Sequence, residues 1–190
     1  MSFTNNPLEP IHDAFTVAND CFKVARRTIA RQHGELLERT QFVGATLEEA
    51  TSALDSAVEQ ASDLVILALF ATFERWVIEH LQDAKQLISV GYPASYSAKL
   101  ASKFEDAVEW WRIEEILGLF EVEVDEQLIM RAKQIKKYRD WIAHRNARKP
   151  TPPKATPEVA FEVLTDIIEQ IHTTHTRPAE AEAERMGGPN

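Results

Sequence analysis

A single cysteine, Cys21, stands in a chain of 190 residues. It excludes an internal disulfide and any zinc site built on paired thiolates, and it suits a reducing compartment. Glycine is scarce as well, with only six, and no segment sustains the period-2 alternation of a half-buried strand. The opening MSFTNNPLEP lacks the basic-then-apolar pattern of a secretion signal. The longest apolar run, LVILALFATF at Leu64–Phe73, is about half of the ~20 residues a membrane span requires. A Gly-rich phosphate loop, a Gly-x-Ser-x-Gly elbow and a His-Glu-x-x-His zinc motif are all absent, which disfavours those enzyme classes. These absences lead us to expect a cytoplasmic protein that needs no membrane, metal or other cofactor.

What is present is helical spacing. With 44% hydrophobic and 27% charged residues, the chain has the profile of a soluble globular domain large enough to fold without staples. Ile11, Phe15, Ala18, Phe22, Ala25 and Ile29 recur at three- and four-residue steps and predict a first helix over 10–31. Thr46-Leu47-Glu48-Glu49 has the form of a capping box and opens a second, long helix reaching about Ile88, with room for a kink or break. Its middle is apolar on all sides, which predicts burial between partners. Further helices are expected over 95–120, from Val124 through Ile142, and over 157–174; Pro150, Pro152, Pro153 and Pro157 separate the last two. The expected fold is all-α: an antiparallel bundle of four to five helices with a long second helix. Residues 1–45 form a helix and connector packing on the bundle, 46–175 the main helical domain, and 176–190 a polar, flexible tail.

Charge is unevenly placed. Between Arg131 and Pro150 lie eight basic residues and one acidic residue, Asp140, so this segment carries +7 in a chain of net charge −9 and leaves −16 for the remainder. Such segregation steers a polyanion to one place and repels it elsewhere. Within the segment, Arg139 and His144 are five apart, so on a helix they are separated by about 140° and flank a groove rather than stack. Asp140 and His144 are four apart and share a face, where the carboxylate can orient the imidazole. Trp141 and Ile142 can anchor the helix. An imidazole can take the proton of a ribose 2′-OH, a guanidinium can clamp the phosphate, and Lys136, Lys137, Arg145 and Arg148 can hold the strand. The same residues also suit a plainer role: basic side chains near a helix C-terminus favour its dipole, and a histidine there caps carbonyls.

The segment RDWIAH, Arg139 to His144, resembles the signature of the HEPN superfamily: arginine, a polar residue, a short mostly apolar stretch, then histidine. LALFATFERWV, Leu67–Val77, likewise resembles the apolar helix ending in Phe-Glu found in HEPN proteins, notably the RiboL-PSP group. The resemblance covers most of Thr46–Thr174. It implies a metal-independent endoribonuclease acting as a homodimer with the active site at the interface, serving as a toxin or antiviral-defence effector, with an antitoxin or defence-system partner possible. On matching positions Arg139 binds phosphate, Asp140 supports the site and His144 is the general base; Glu74, at the end of the apolar run, is separately a candidate supporting carboxylate that can reach Arg139 or another basic residue. One departure is visible. A HEPN subgroup regulated by a nucleotidyltransferase antitoxin has tyrosine two residues after the histidine, where this chain has Asn146, so that mode of inactivation is not expected. The alternative is a catalytically silent HEPN-type module that binds RNA, a nucleotide or a protein.

Other residues are expected to be structural. Glu74 also fits an exposed helix-end carboxylate or an ion pair with Arg75. His12 and His80 read as surface or capping residues. His172 and His175 have a metal-compatible spacing, but Glu169 is the only close carboxylate, so no metal site is expected. Trp110 and Trp111 point about 100° apart, so at most one can face any groove, and packing is the favoured role.

Overall fold

The computed structural model describes residues 6–31, 34–144 and 150–175, and among them the chain is all-α. Eight helices follow in order: α1 (Glu9–Ala30), α2 (Gly34–Leu37), α3 (Leu47–Asp83), α4 (Lys85–Ser89), α5 (Ala94–Val108), α6 (Ile113–Leu119), α7 (Glu126–His144) and α8 (Pro157–His175). Five are long and occupy the five regions of helical spacing; α2, α4 and α6 are short and sit where connectors or continuations were expected. The anticipated tail, 176–190, lies outside the described residues, as do Arg145, Arg148 and Asn146.

Local chemistry explains most boundaries. At the start of α3, the Thr46 amide donates to Glu49 Oε2 at 2.8 Å while the Glu49 amide donates back to Thr46 Oγ1 at 3.2 Å, the reciprocal capping box read from the sequence. Those bonds hold the exposed Glu49 carboxyl below the ordinary range. α7 is started by Asp125, whose Oδ1 accepts the Gln127 amide at 2.7 Å, and α8 by Thr156, with Pro157 in the first helical position, where its missing N–H costs nothing. The expected helix over 95–120 is in fact two. Arg112 is extended, with ψ 141°, and its amide donates to Glu115 Oε2 at 3.1 Å, so α6 starts afresh after a turn. The second helix likewise stops at Asp83, and α4 resumes after Ala84.

The described residues divide into two compact units: those within 7–72 and 135–161, and residue 6 with 73–134 and 162–175. Helices α3, α7 and α8 each supply residues to both. The first unit buries Phe15, Ile29, Ala50, Leu54, Ile66, Leu69, Phe70, Ile135, Tyr138 and Ile142. Part of its core is a cluster of Ile29, Ala50 and Leu54 flanked by Phe22, Ala25, Leu37 and Phe42, which attaches α1 and the α2 region to the N-terminal half of α3. The second unit buries Phe73, Val77, Ile116, Leu117, Phe120, Ile129 and an α8 stripe of Val163, Leu164, Ile167, Ile168 and Ile171. One face of the apolar middle of α3 is buried, with Leu69, Phe70, Phe73 and Val77 all at 0% exposure, while Leu64, Ala68 and Ala71 on another face are exposed, so the expected burial on all sides is not seen among the described residues. No helix among the described residues is long and apolar enough to cross a membrane.

One polar pair is set into the first unit. Tyr138 Oη donates to Asp63 Oδ1 at 2.8 Å, and the two residues are 2% and 5% exposed. This bond joins α7 to α3 through groups that water does not reach, where losing a partner is costly. Tyr138→Phe keeps the ring and removes the donor. It is expected to lower unfolding stability by about 1–3 kcal/mol, measured by urea denaturation, with little change in far-UV circular dichroism.

Candidate functional site

α7 presents its residues in the order its helical phase dictates. Ile135, Tyr138 and Ile142 are buried, at positions 3 and 4 apart, and fix the helix against the core; Lys136, Arg139, Asp140 and Trp141 are half-buried beside that stripe; Lys137 and His144 are exposed. Trp141 stacks on Tyr138 with ring centroids 6.0 Å apart.

The Arg139 guanidinium lies over the Phe70 ring, 4.7 Å from its centroid, a favourable position for a cation on an aromatic face. Its Nη1 pairs with Asp140 Oδ1 at 3.1 Å. The other Asp140 oxygen, Oδ2, accepts from Lys136 Nζ at 2.8 Å. Asp140 is thus a carboxylate held between two cations on its own helix. The expected hydrogen bond from Asp140 to His144 is not among these contacts, because both carboxylate oxygens turn toward Arg139 and Lys136. His144 is the last residue of α7 and projects outward. Arg139 and Asp140 are therefore brought together, while His144 stands apart from them at the helix end.

The basic segment is partly neutralised. Lys133 Nζ reaches Glu121 Oε1 at 3.0 Å, and Lys136 and Arg139 share Asp140. Lys137 is exposed and is the described residue of the proposed strand-binding set best placed to meet a solute. Glu74 sits inside α3 rather than at a helix end, and is half-buried. The Arg75 partner considered for it is engaged elsewhere: Nε with Glu79 at 3.0 Å, Nη1 with Glu109 at 2.8 Å and Nη2 with Gln82 at 3.2 Å. The Glu109 and Glu79 carboxylates hold the Arg75 guanidinium even more firmly protonated than usual.

A second polar cluster was not legible in the sequence. His80 Nε2 lies 2.8 Å from His175 Nδ1, and His175 Nε2 lies 2.5 Å from Glu123 Oε2. A carboxylate only accepts, so with His175 neutral its Nε2–H donates to Glu123 and its Nδ1 accepts from His80. The chain Glu123–His175–His80 is walled by Trp76, whose ring is stacked 5.3 Å from that of His80, and by Phe120, 5.9 Å from His175. His80 is thus a packed residue rather than a surface one. No group of three or more His, Cys, Asp or Glu among the described residues can hold a metal. His12, also expected at the surface, stacks on Phe161 at 4.0 Å between centroids. Of the tryptophans, Trp111 packs edge-on against Phe104 at 5.7 Å, while Trp110 is 86% exposed.

Burial, and secondarily the neighbouring His175, push the His80 imidazole below its ordinary value of 6.5. The folded state therefore binds fewer protons than the unfolded state as pH falls through 6.5, and stability drops with it. The thermal midpoint should fall between pH 7.5 and pH 5. His80→Phe, which cannot be protonated, should show a smaller fall over the same interval by differential scanning fluorimetry.

Comparison of the chain with protein-family models, with curated proteins and with solved structures finds no match.

Proposed function

We propose that this chain is a HEPN-type endoribonuclease in which Arg139 grips a phosphate of RNA and His144 activates the adjacent 2′-OH. What carries the reading is the arrangement on α7: a guanidinium and an imidazole one and a half turns apart on a helix anchored by its neighbours Tyr138 and Ile142, with the imidazole in reach of solvent at the helix end. The Arg-to-His segment closes α7, the last long helix but one, which is the setting the resemblance implies, and Phe73–Glu74 precedes it in order although α3 continues beyond that pair to Asp83.

In the proposed reaction, His144 accepts the proton of the 2′-OH while that oxygen forms a bond to phosphorus. The bond from phosphorus to the 5′-oxygen breaks, and the leaving oxygen takes up a proton, so the products are a 2′,3′-cyclic phosphate and a 5′-hydroxyl. Arg139 offsets the charge building on the non-bridging oxygens. One chain supplies one histidine to this site, so a second chain bringing its own α7 end would divide the acid and base roles. Lys137 would hold the strand by its phosphates, and Lys136 would help keep Asp140 in place. A role as a toxin or defence effector, with an antitoxin or similar partner, belongs to the same proposal through the family resemblance.

A second reading has its own support. Arg139 stacked on Phe70 and paired with Asp140 is also what a purely structural arginine does. A silent module would bind RNA or another partner through the exposed cations and turn nothing over.

Incubation of mixed RNA with the purified protein in EDTA separates the two. Cleavage is expected, with cyclic-phosphate ends, and His144→Ala and Arg139→Ala should each lower the rate by about 100-fold or more, the scale of losing a positioned acid–base group. A substrate with hydrogen in place of the 2′-OH at the cleaved position should resist. Cleavage undiminished in His144→Ala would end the ribonuclease reading, and tight binding without turnover would establish the silent one.

A further inference from the structure

Helix α1 is apolar along two stripes, and among the described residues only one of them is packed against the rest of the chain. The inner stripe, Phe15, Phe22, Ala25 and Ile29, packs into the first unit. The outer stripe, about a third of the way around the helix, is Val17, Cys21, Val24 and Thr28. Val17 and Val24 are 65% and 60% exposed, and Cys21 is exposed too. Beside the stripe runs a groove of about 570 Å³, also lined by Leu36 and Phe42. Aligned apolar side chains on a solvent-facing helix carry a standing hydration cost, unlike scattered ones.

We propose that this face of α1 binds the same face of a second copy, the two helices running antiparallel. Two observations favour that occupant. The stripe spacing, 17, 21, 24 and 28, reads the same in both directions about a point between Phe22 and Lys23. A two-fold axis there sets Val17 opposite the second copy's Thr28 and Cys21 opposite its Val24, as a self-complementary interface requires. The charges are also arranged for self-pairing. One edge of the stripe carries exposed Glu9, Asp13 and Asp20 in the first half of α1 and exposed Arg27 and Arg31 toward its end. In an antiparallel pair like edges meet, so Asp20 lies near the second copy's Arg27 and Asp13 near its Arg31. A parallel two-fold pair brings unlike edges together and makes neither pairing. Within the chain Asp20 pairs with exposed Lys23 at 2.8 Å, a contact weak enough to exchange. The proposal rests on α1 alone and stands whether or not α7 cleaves RNA.

The unique cysteine makes the test direct. Wild-type protein should sediment at twice the 21.6 kDa of one chain, and a short bismaleimide should couple Cys21 to Cys21 in high yield. Val24→Asp, at an exposed position, should keep the helical circular dichroism yet sediment as a monomer and lose the cross-link. As a second arm, Asp20→Lys should weaken the dimer by about tenfold or more, since like charges then face each other across the contact, and Asp20→Lys combined with Arg27→Glu should restore it. A wild-type monomer at all concentrations would overturn the proposal. So would a dimer indifferent to Val24→Asp and to charge reversal, which would place the contact on another face, such as the end of α7.

Discussion

The segment Ile66–Leu81 of α3 governs this molecule. Ile66, Leu69, Phe70, Phe73 and Val77 share one face of the helix, an arc of about 100°, and none is exposed. An apolar face that runs for more than four turns needs cover along its whole length. The remaining long helices supply that cover with stripes of their own: Ile135, Tyr138 and Ile142 on α7 beside the residues that share their unit with Phe70, and Val163 through Ile171 on α8 in the unit of Phe73 and Val77. Burial of this kind is the main favourable term in folding. The polar groups of interest are therefore passengers on helices whose positions are set by apolar packing.

That dependence decides how Arg139 is held. Tyr138 is locked inward by its bond to Asp63, and Ile142 is buried one turn later, so the rotation of α7 about its axis is fixed. Arg139 must then emerge at the edge of the core, where its stem is covered and its guanidinium meets Phe70. His144, beyond the last buried residue of the helix, has no such constraint. The guanidinium is pre-positioned and the imidazole is not, a division that suits a site completed by something outside the described contacts.

The sequence revealed the long elements because their signals are periodic and local: the three- and four-residue apolar spacing, the Thr46–Glu49 capping box, the proline-rich stop before α8. It concealed the break between α5 and α6, because no glycine or proline marks it and the amide that ends the turn is satisfied by Glu115, three residues downstream. It concealed the Glu123–His175–His80 chain more thoroughly, since its members are 52 and 95 residues apart and each looks ordinary in its own neighbourhood. The Arg-to-His segment was legible as a pattern, but which partner Asp140 would choose was not. Helical spacing favoured His144 four residues on, while electrostatics favoured two permanent cations, Lys136 four residues back and the adjacent Arg139.

Asp140 has a consequence for any anion that approaches α7. Its carboxylate already occupies part of the coordination sphere that a phosphate oxygen would want on Arg139, and it neutralises part of the charge of Lys136 as well. An incoming phosphate meets a resident competitor and must exchange with it rather than fill an empty seat. Such a built-in competitor penalises weakly charged, singly bonded anions most, so the helix selects for ligands that can grip at several points at once.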